Sequence, residues 1–66
     1  MRLTINGEDK DVADGTTVAD LVASLGLAGR RVAVEKNREV IPATAWPAEH
    51  LADRDVLEIV HFVGGG

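Results

Sequence analysis

A two-layer α+β domain, with a mixed sheet of about five strands packed on one main helix, is the fold class that this sequence predicts. Three observations lead to it. Both ends of the chain carry apolar residues at strand spacing, in residues 1–5 and 56–63. Only one segment, residues 18–25, carries an apolar stripe at helical spacing. The whole chain has 66 residues, enough for one domain, and one helix can cover only one face of a sheet.

The elements follow in order. Met1, Leu3 and Ile5 alternate with Arg2 and Thr4, the period of a half-buried strand. Asn6-Gly7 is a hairpin signal, because both residues tolerate positive φ. Residues 10–13 are expected to return as a short strand with Val12 facing inward, and Asp14-Gly15 then breaks the chain. Thr17 is expected to cap a helix, its hydroxyl accepting from the backbone N–H of Asp20, in a capping box with Asp in place of Glu or Gln. Val18, Leu21, Val22 and Leu25 then form one stripe, and Gly26 ends the helix in a left-handed conformation. Residues 31–35 read as a strand with Val32 and Val34 on one face. A polar turn through residues 36–39 leads to Val40-Ile41, where Pro42 stops the pairing. Residues 43–54 read as irregular, with a helical turn expected over residues 47–51. Trp46 falls in this loop and is expected to act as a lid over one core edge. Asp53-Arg54-Asp55 forms a tight turn before the last strand.

The order is therefore ββαββ, a loop with a short helical turn, then β. The strongly apolar first and last strands belong in the centre of the sheet, side by side and parallel, with a hairpin on each flank. That arrangement is the β-grasp, or ubiquitin-like, fold. A ferredoxin-like fold would need a second full helix, and the segment interrupted by Pro47 is too short for one. Residues 1–63 are expected to form a single domain, with residues 64–66 as a flexible glycine tail.

Composition excludes several functions. There is no cysteine, so disulfides, zinc ribbons and thiol nucleophiles are absent, and no metal site is expected. A cysteine-free chain of this size without a signal-peptide pattern is expected in the cytoplasm. The net charge of −4, without a basic run or aromatic platform, disfavours nucleic acid as a partner. No apolar stretch reaches the ~20 residues of a membrane span. His50 and His61 have no serine or cysteine constellation near them, so the chain is not expected to be an enzyme.

The chain ends in Gly64-Gly65-Gly66. Without Cβ atoms this backbone can enter a narrow channel, and three extended residues reach roughly 10 Å. A carboxylate on Gly66 could thus be delivered into another protein's active site. There it could become a mixed anhydride and then react with a sulfur nucleophile. Such acyl chemistry needs no side chain from this protein. On the last strand, Leu57, Ile59 and His61 share a face with Val63 and turn toward the helix, which leaves Val60 and Phe62 on the uncovered side. Ala33 is expected to point the same way, and the three form a candidate docking patch beside the tail.

The run Asp53-Arg54-Asp55-Val56-Leu57-Glu58-Ile59-Val60-His61-Phe62-Val63-Gly64-Gly65-Gly66 closely resembles the C-terminus of the ThiS sulfur carriers of thiamin biosynthesis. Val34-Glu35-Lys36-Asn37, Glu39-Val40-Ile41-Pro42, the opening Leu3, Ile5, Asn6 and Gly7, and the helix entry at Thr17-Val18-Ala19-Asp20-Leu21 are similar to the rest of that family. The terminal Gly-Gly is common to many β-grasp carriers, whereas the acidic turn leading into Ile59-Val60-His61-Phe62-Val63 is far more specific. The resemblance implies that an E1-like adenylyltransferase of the ThiF type uses ATP to activate Gly66. A cysteine desulfurase relay then supplies the sulfur of a thiocarboxylate, and a ThiG-type thiazole synthase receives it. Gly65 and Gly64 carry over as the segment threaded into the partner. No cofactor is bound by the chain itself; ATP belongs to the activating enzyme. The alternatives are a MoaD-like small subunit of molybdopterin synthase and a ubiquitin-like protein modifier.

Overall fold

Each local signal nucleates one piece of the fold, and the sheet then joins the two ends of the chain. The computed structural model describes residues 1–62; Val63 and the expected tail, residues 64–66, lie outside the described residues. The order is β1 (Arg2–Ile5), β2 (Glu8–Asp11), α1 (Val18–Ser24), β3 (Val32–Lys36), β4 (Glu39–Ile41), a 3-10 helix (Ala43–Ala48) and β5 (Val56–His61). The strands form one sheet in the order β2-β1-β5-β3-β4. β1 and β5 are parallel in its centre, and an antiparallel hairpin flanks each side. Both edges are blunted against further pairing. β2 is four exposed charged residues, and β4 is only three residues long and followed by Pro42.

The helix forms as the sequence predicts. Asp20 N–H donates to Thr17 Oγ1 and Thr17 N–H donates back to Asp20 Oδ2, both at 3.1 Å. At the other end Gly26 has φ +75°, Gly26 N–H reaches Ala23 O, and Leu27 N–H reaches Val22 O. This paired closure is a Schellman motif, which satisfies carbonyls that the helix leaves open. Val18, Leu21 and Val22 then pack on Leu3, Ile5, Val34, Leu57 and Ile59 as one buried cluster. Each such side chain contributes roughly 1.5–3 kcal/mol by leaving water.

Two expectations need correction. The second strand is Glu8–Asp11, not residues 10–13. Asn6 (φ 50°) and Gly7 (φ +83°) make a two-residue turn, which sets Glu8 opposite Ile5 and fixes the register from there. Val12 lies just past the strand but still packs partly against the core. The second correction concerns the turn expected over residues 47–51. The 3-10 helix starts earlier, because Pro42 leads into it in extended conformation and its carbonyl accepts from Ala45 N–H at 2.9 Å. Pro47 sits inside it, and Leu51 beyond it is buried in the core. Trp46 packs against the core edge and its Nε1–H donates to Ile41 O at 2.9 Å, so the lid expectation holds.

Smaller shifts lie at strand ends. The third strand is Val32–Lys36, and the turn after it is only Asn37-Arg38, both at positive φ. Among the described residues no helix is long and apolar enough to cross a membrane.

Candidate functional site

β5 is the last element before the expected tail. It lies in the middle of the sheet, so both of its edges are held by neighbouring strands. β3 pairs with β5 along its full length, from Lys36 opposite Leu57 to Val32 opposite His61. The pairing continues one step further, because Phe62 N–H donates to Arg31 O at 2.9 Å. β1 runs out sooner, since its backbone turns away at Asn6 and Gly7. There the Asn6 side chain takes over: Oδ1 accepts from Ile59 N–H at 2.8 Å and Nδ2 donates to Ile59 O at 3.1 Å. A side-chain amide thus replaces a missing strand residue and holds the end of β5 in place.

The turn before β5 is fixed just as firmly. Asp55 is a buried carboxylate that accepts from Ala52 N–H at 2.8 Å and from Asn37 Nδ2 at 3.0 Å. Lys36 Nζ lies 4.0 Å from Asp55 and 3.1 Å from Glu49, which ties β3 to the loop ahead of β5.

Alternation along β5 separates its two faces. Leu57 and Ile59 are buried under α1. Val60 and Phe62 are 52% and 54% exposed on the other side. Ala33 lies directly opposite Val60 in the register, so the three residues of the expected patch share one face. Val40 and Val56 are exposed on the same face, and Glu35 and Glu58 lie opposite each other within it. These four were not foreseen as part of the patch. The alternation of β5 could have supplied Val56 and Glu58, and that of β3 could have supplied Glu35 beside Ala33, but Val40 needed the β3–β4 register. Opposed carboxylates on neighbouring strands repel, so this part of the face would favour a cation from a partner.

The described residues offer no catalytic grouping. His50 is exposed and bridges Thr17 through the backbone, while exposed His61 ends β5. Among the described residues no group of three or more His, Cys, Asp or Glu is placed to hold a metal ion. The expected modification site Gly66 and the threading residues Gly64 and Gly65 lie outside the described residues. What the geometry provides is a rigid platform whose central strand runs toward them.

Known proteins with this sequence pattern and shape point one way. The ThiS family model matches residues 3–66. The sulfur carrier protein ThiS of Bacillus subtilis is 49% identical over 65 residues, covering 97% of this chain and 98% of that protein. A thiazole synthase of Paramagnetospirillum magneticum is 44% identical over all of this chain, which spans only 20% of that protein's length. The crystal structure of the thiamine biosynthesis protein ThiS from Geobacter metallireducens superposes with a TM-score of 0.83 at 38% identity, covering 100% of both chains. The mixed five-stranded sheet, its central parallel pair and the whole-length similarity together establish that this chain belongs to the ThiS family.

Proposed function

We propose that this protein is a sulfur carrier of thiamin biosynthesis, working through the carboxylate of Gly66. The observation that carries the reading is the similarity to the Bacillus carrier along nearly the entire length of both chains. The geometry of β5 supports it: a central strand held from both sides gives whatever follows a fixed point of departure.

The chemistry follows from the carboxylate. It is a poor electrophile until one oxygen attacks the α-phosphorus of ATP in an E1-like adenylyltransferase and pyrophosphate leaves. The resulting acyl-adenylate is a mixed anhydride. A persulfide supplied by a cysteine desulfurase relay attacks the acyl carbon and AMP leaves, giving an acyl disulfide; a thiol of the partner machinery then attacks the relay's sulfur, forming a disulfide with it and releasing the thiocarboxylate. Positioning and exclusion of water by the partner supply the rate. This chain is therefore a carrier that other proteins modify, not a catalyst, and it needs no bound cofactor. The ATP requirement and the absence of cysteine fit a cytoplasmic setting.

The acceptor is a thiazole synthase. Support comes from the relative named thiazole synthase, in which a stretch like this chain forms a fifth of a longer polypeptide. Val60, Phe62 and Ala33 form the docking face in this reading, and Gly64 and Gly65 thread into the partner. Nothing in the molecule favours the molybdopterin synthase subunit or the modifier.

Intact-mass spectrometry tests the reading. With the adenylyltransferase, ATP and a sulfur source, the chain should gain the mass difference between sulfur and oxygen, confined to its C-terminal peptide. Deletion of Gly66 should abolish that gain. An unchanged mass for the full chain, or conjugates of higher mass on lysines, would refute it.

A further inference from the structure

Beside the point where β5 ends lies a groove of about 530 Å³ lined by Arg30, Arg31, Val32, Ala43, Trp46 and Phe62. Its floor and walls are apolar and its rim is cationic. Hydrogen bonds hold the backbone beneath the two arginines and the indole. Arg30 N–H is bonded to Leu27 O, Arg31 O holds Phe62 N–H, and the indole of Trp46 is anchored on Ile41 O.

The charge of this rim stands out against the rest of the chain. Acidic residues outnumber basic ones by 11 to 7. Three of the seven Lys and Arg side chains are engaged: Arg2 with Asp9 and Asp11, Lys36 with Glu49 and Asp55, and Arg54 with Asp53. Among the described residues Arg30 and Arg31 make no ion pair, and they stand next to each other on an apolar trough. Guanidinium groups beside an aromatic wall suit carboxylates, which they bind through paired hydrogen bonds. Aromatic walls with arginine are also the composition of energetic centres in protein interfaces.

We infer that this groove recognises an acidic segment of the activating enzyme, with its carboxylates on Arg30 and Arg31 and one apolar side chain seated between Val32, Ala43 and Trp46. The inference rests on the carrier reading and names the contact that selects this chain. Phe62, four residues before Gly66 in the sequence, is part of the groove's lining. The groove differs from the open sheet face around Val60, where the exposed charges are the opposed carboxylates Glu35 and Glu58. The two surfaces call for opposite charges in whatever binds them.

The test uses the full chain with fluorotryptophan in place of its only tryptophan, which gives a single fluorine NMR line from Trp46. Adding the ThiF-type adenylyltransferase of the same genome without ATP should shift or broaden that line. The double variant Arg30→Glu, Arg31→Glu should raise KM for the carrier in ATP–pyrophosphate exchange by roughly tenfold, leave kcat unchanged and flatten the dependence of KM on salt. Both substitutions are at exposed side chains, so circular dichroism should be unaltered. Arg38→Glu, at the far end of β3, makes the same change of charge and should leave KM unaltered.

An unmoved fluorine line in a complex that still forms thiocarboxylate would overturn the groove while the carrier reading stands. So would an unchanged KM in the double variant. A line that moves with protein concentration alone would mean that a second copy fills the groove, which also overturns the inference. If the wild-type chain neither binds the enzyme nor gains sulfur, both readings fall.

Discussion

Asn6 offers the sharpest probe of how the fold presents the tail. Its side chain makes two hydrogen bonds to the backbone of Ile59, at 2.8 and 3.1 Å, while its own backbone sits at φ 50°. Substitution by alanine removes both bonds, each worth about 0.5–1.5 kcal/mol. It also forces a Cβ-bearing residue without a local side-chain bond into the left-handed region, which costs about 1–2 kcal/mol. Asn6→Ala should therefore destabilise by about 2–5 kcal/mol, a large part of the stability expected for so small a domain. At roughly 4–8 °C per kcal/mol, Tm should fall by about 8–40 °C. Asn6→Gly separates the two terms, because glycine accepts positive φ without strain. It should cost only the hydrogen-bond share, about 1–3 kcal/mol. Urea unfolding followed by circular dichroism reads both variants, with the midpoint moving and the slope unchanged. Hydrogen exchange should quicken at the Ile59 amide more than at Leu57, which stays in the β1–β5 ladder opposite Ile5. An Asn6→Gly midpoint equal to that of the wild type, or no local change at Ile59, would refute the clamp.

Three further expectations follow from burial and backbone geometry. Leu21→Ala empties a fully buried position at the centre of the helix stripe; it should cost about 2–5 kcal/mol, read as a lower urea midpoint or outright loss of the transition. Phe62→Asp alters a half-exposed side chain beyond the last strand, so unfolding should change by no more than about 0.5 kcal/mol, while affinity for the thiazole synthase, measured by calorimetry, drops clearly; equal binding would remove Phe62 from the docking face. Arg38 occupies a turn position at φ 70°, and Arg38→Gly should raise the urea midpoint by about 0.5–1 kcal/mol of stability, since glycine relieves the left-handed strain.

Whatever depends on neighbours a few residues apart is legible before any folding. The turn at Asn6-Gly7, the reciprocal cap between Thr17 and Asp20, the stripe from Val18 to Leu25 and the closure at Gly26 all appear where their local chemistry demands. The alternation of the first and last strands was strong enough to set them in the centre of the sheet and to assign the faces of Leu57, Ile59, Val60 and Phe62. Glu8-Asp9-Lys10-Asp11 carries no apolar pattern, so its strand register came only from the turn and from pairing with β1. The 3-10 helix was displaced from Pro47 toward Pro42 by contacts of Trp46 and Ala45 with the end of β4.

The remaining features come from contacts between distant parts of the chain. The amide of Asn6 meets Ile59, 53 residues away, and the carboxylate of Asp55 meets Asn37 across 18 residues. Arg30 and Arg31 become a rim only when the loop carrying Trp46 folds beside them. Such pairings depend on which strands adjoin in the sheet, and the energy of a single polar side chain is too small to announce its distant partner in advance. Hydrophobic patterning selects the sheet order, and the sheet order then chooses those partners.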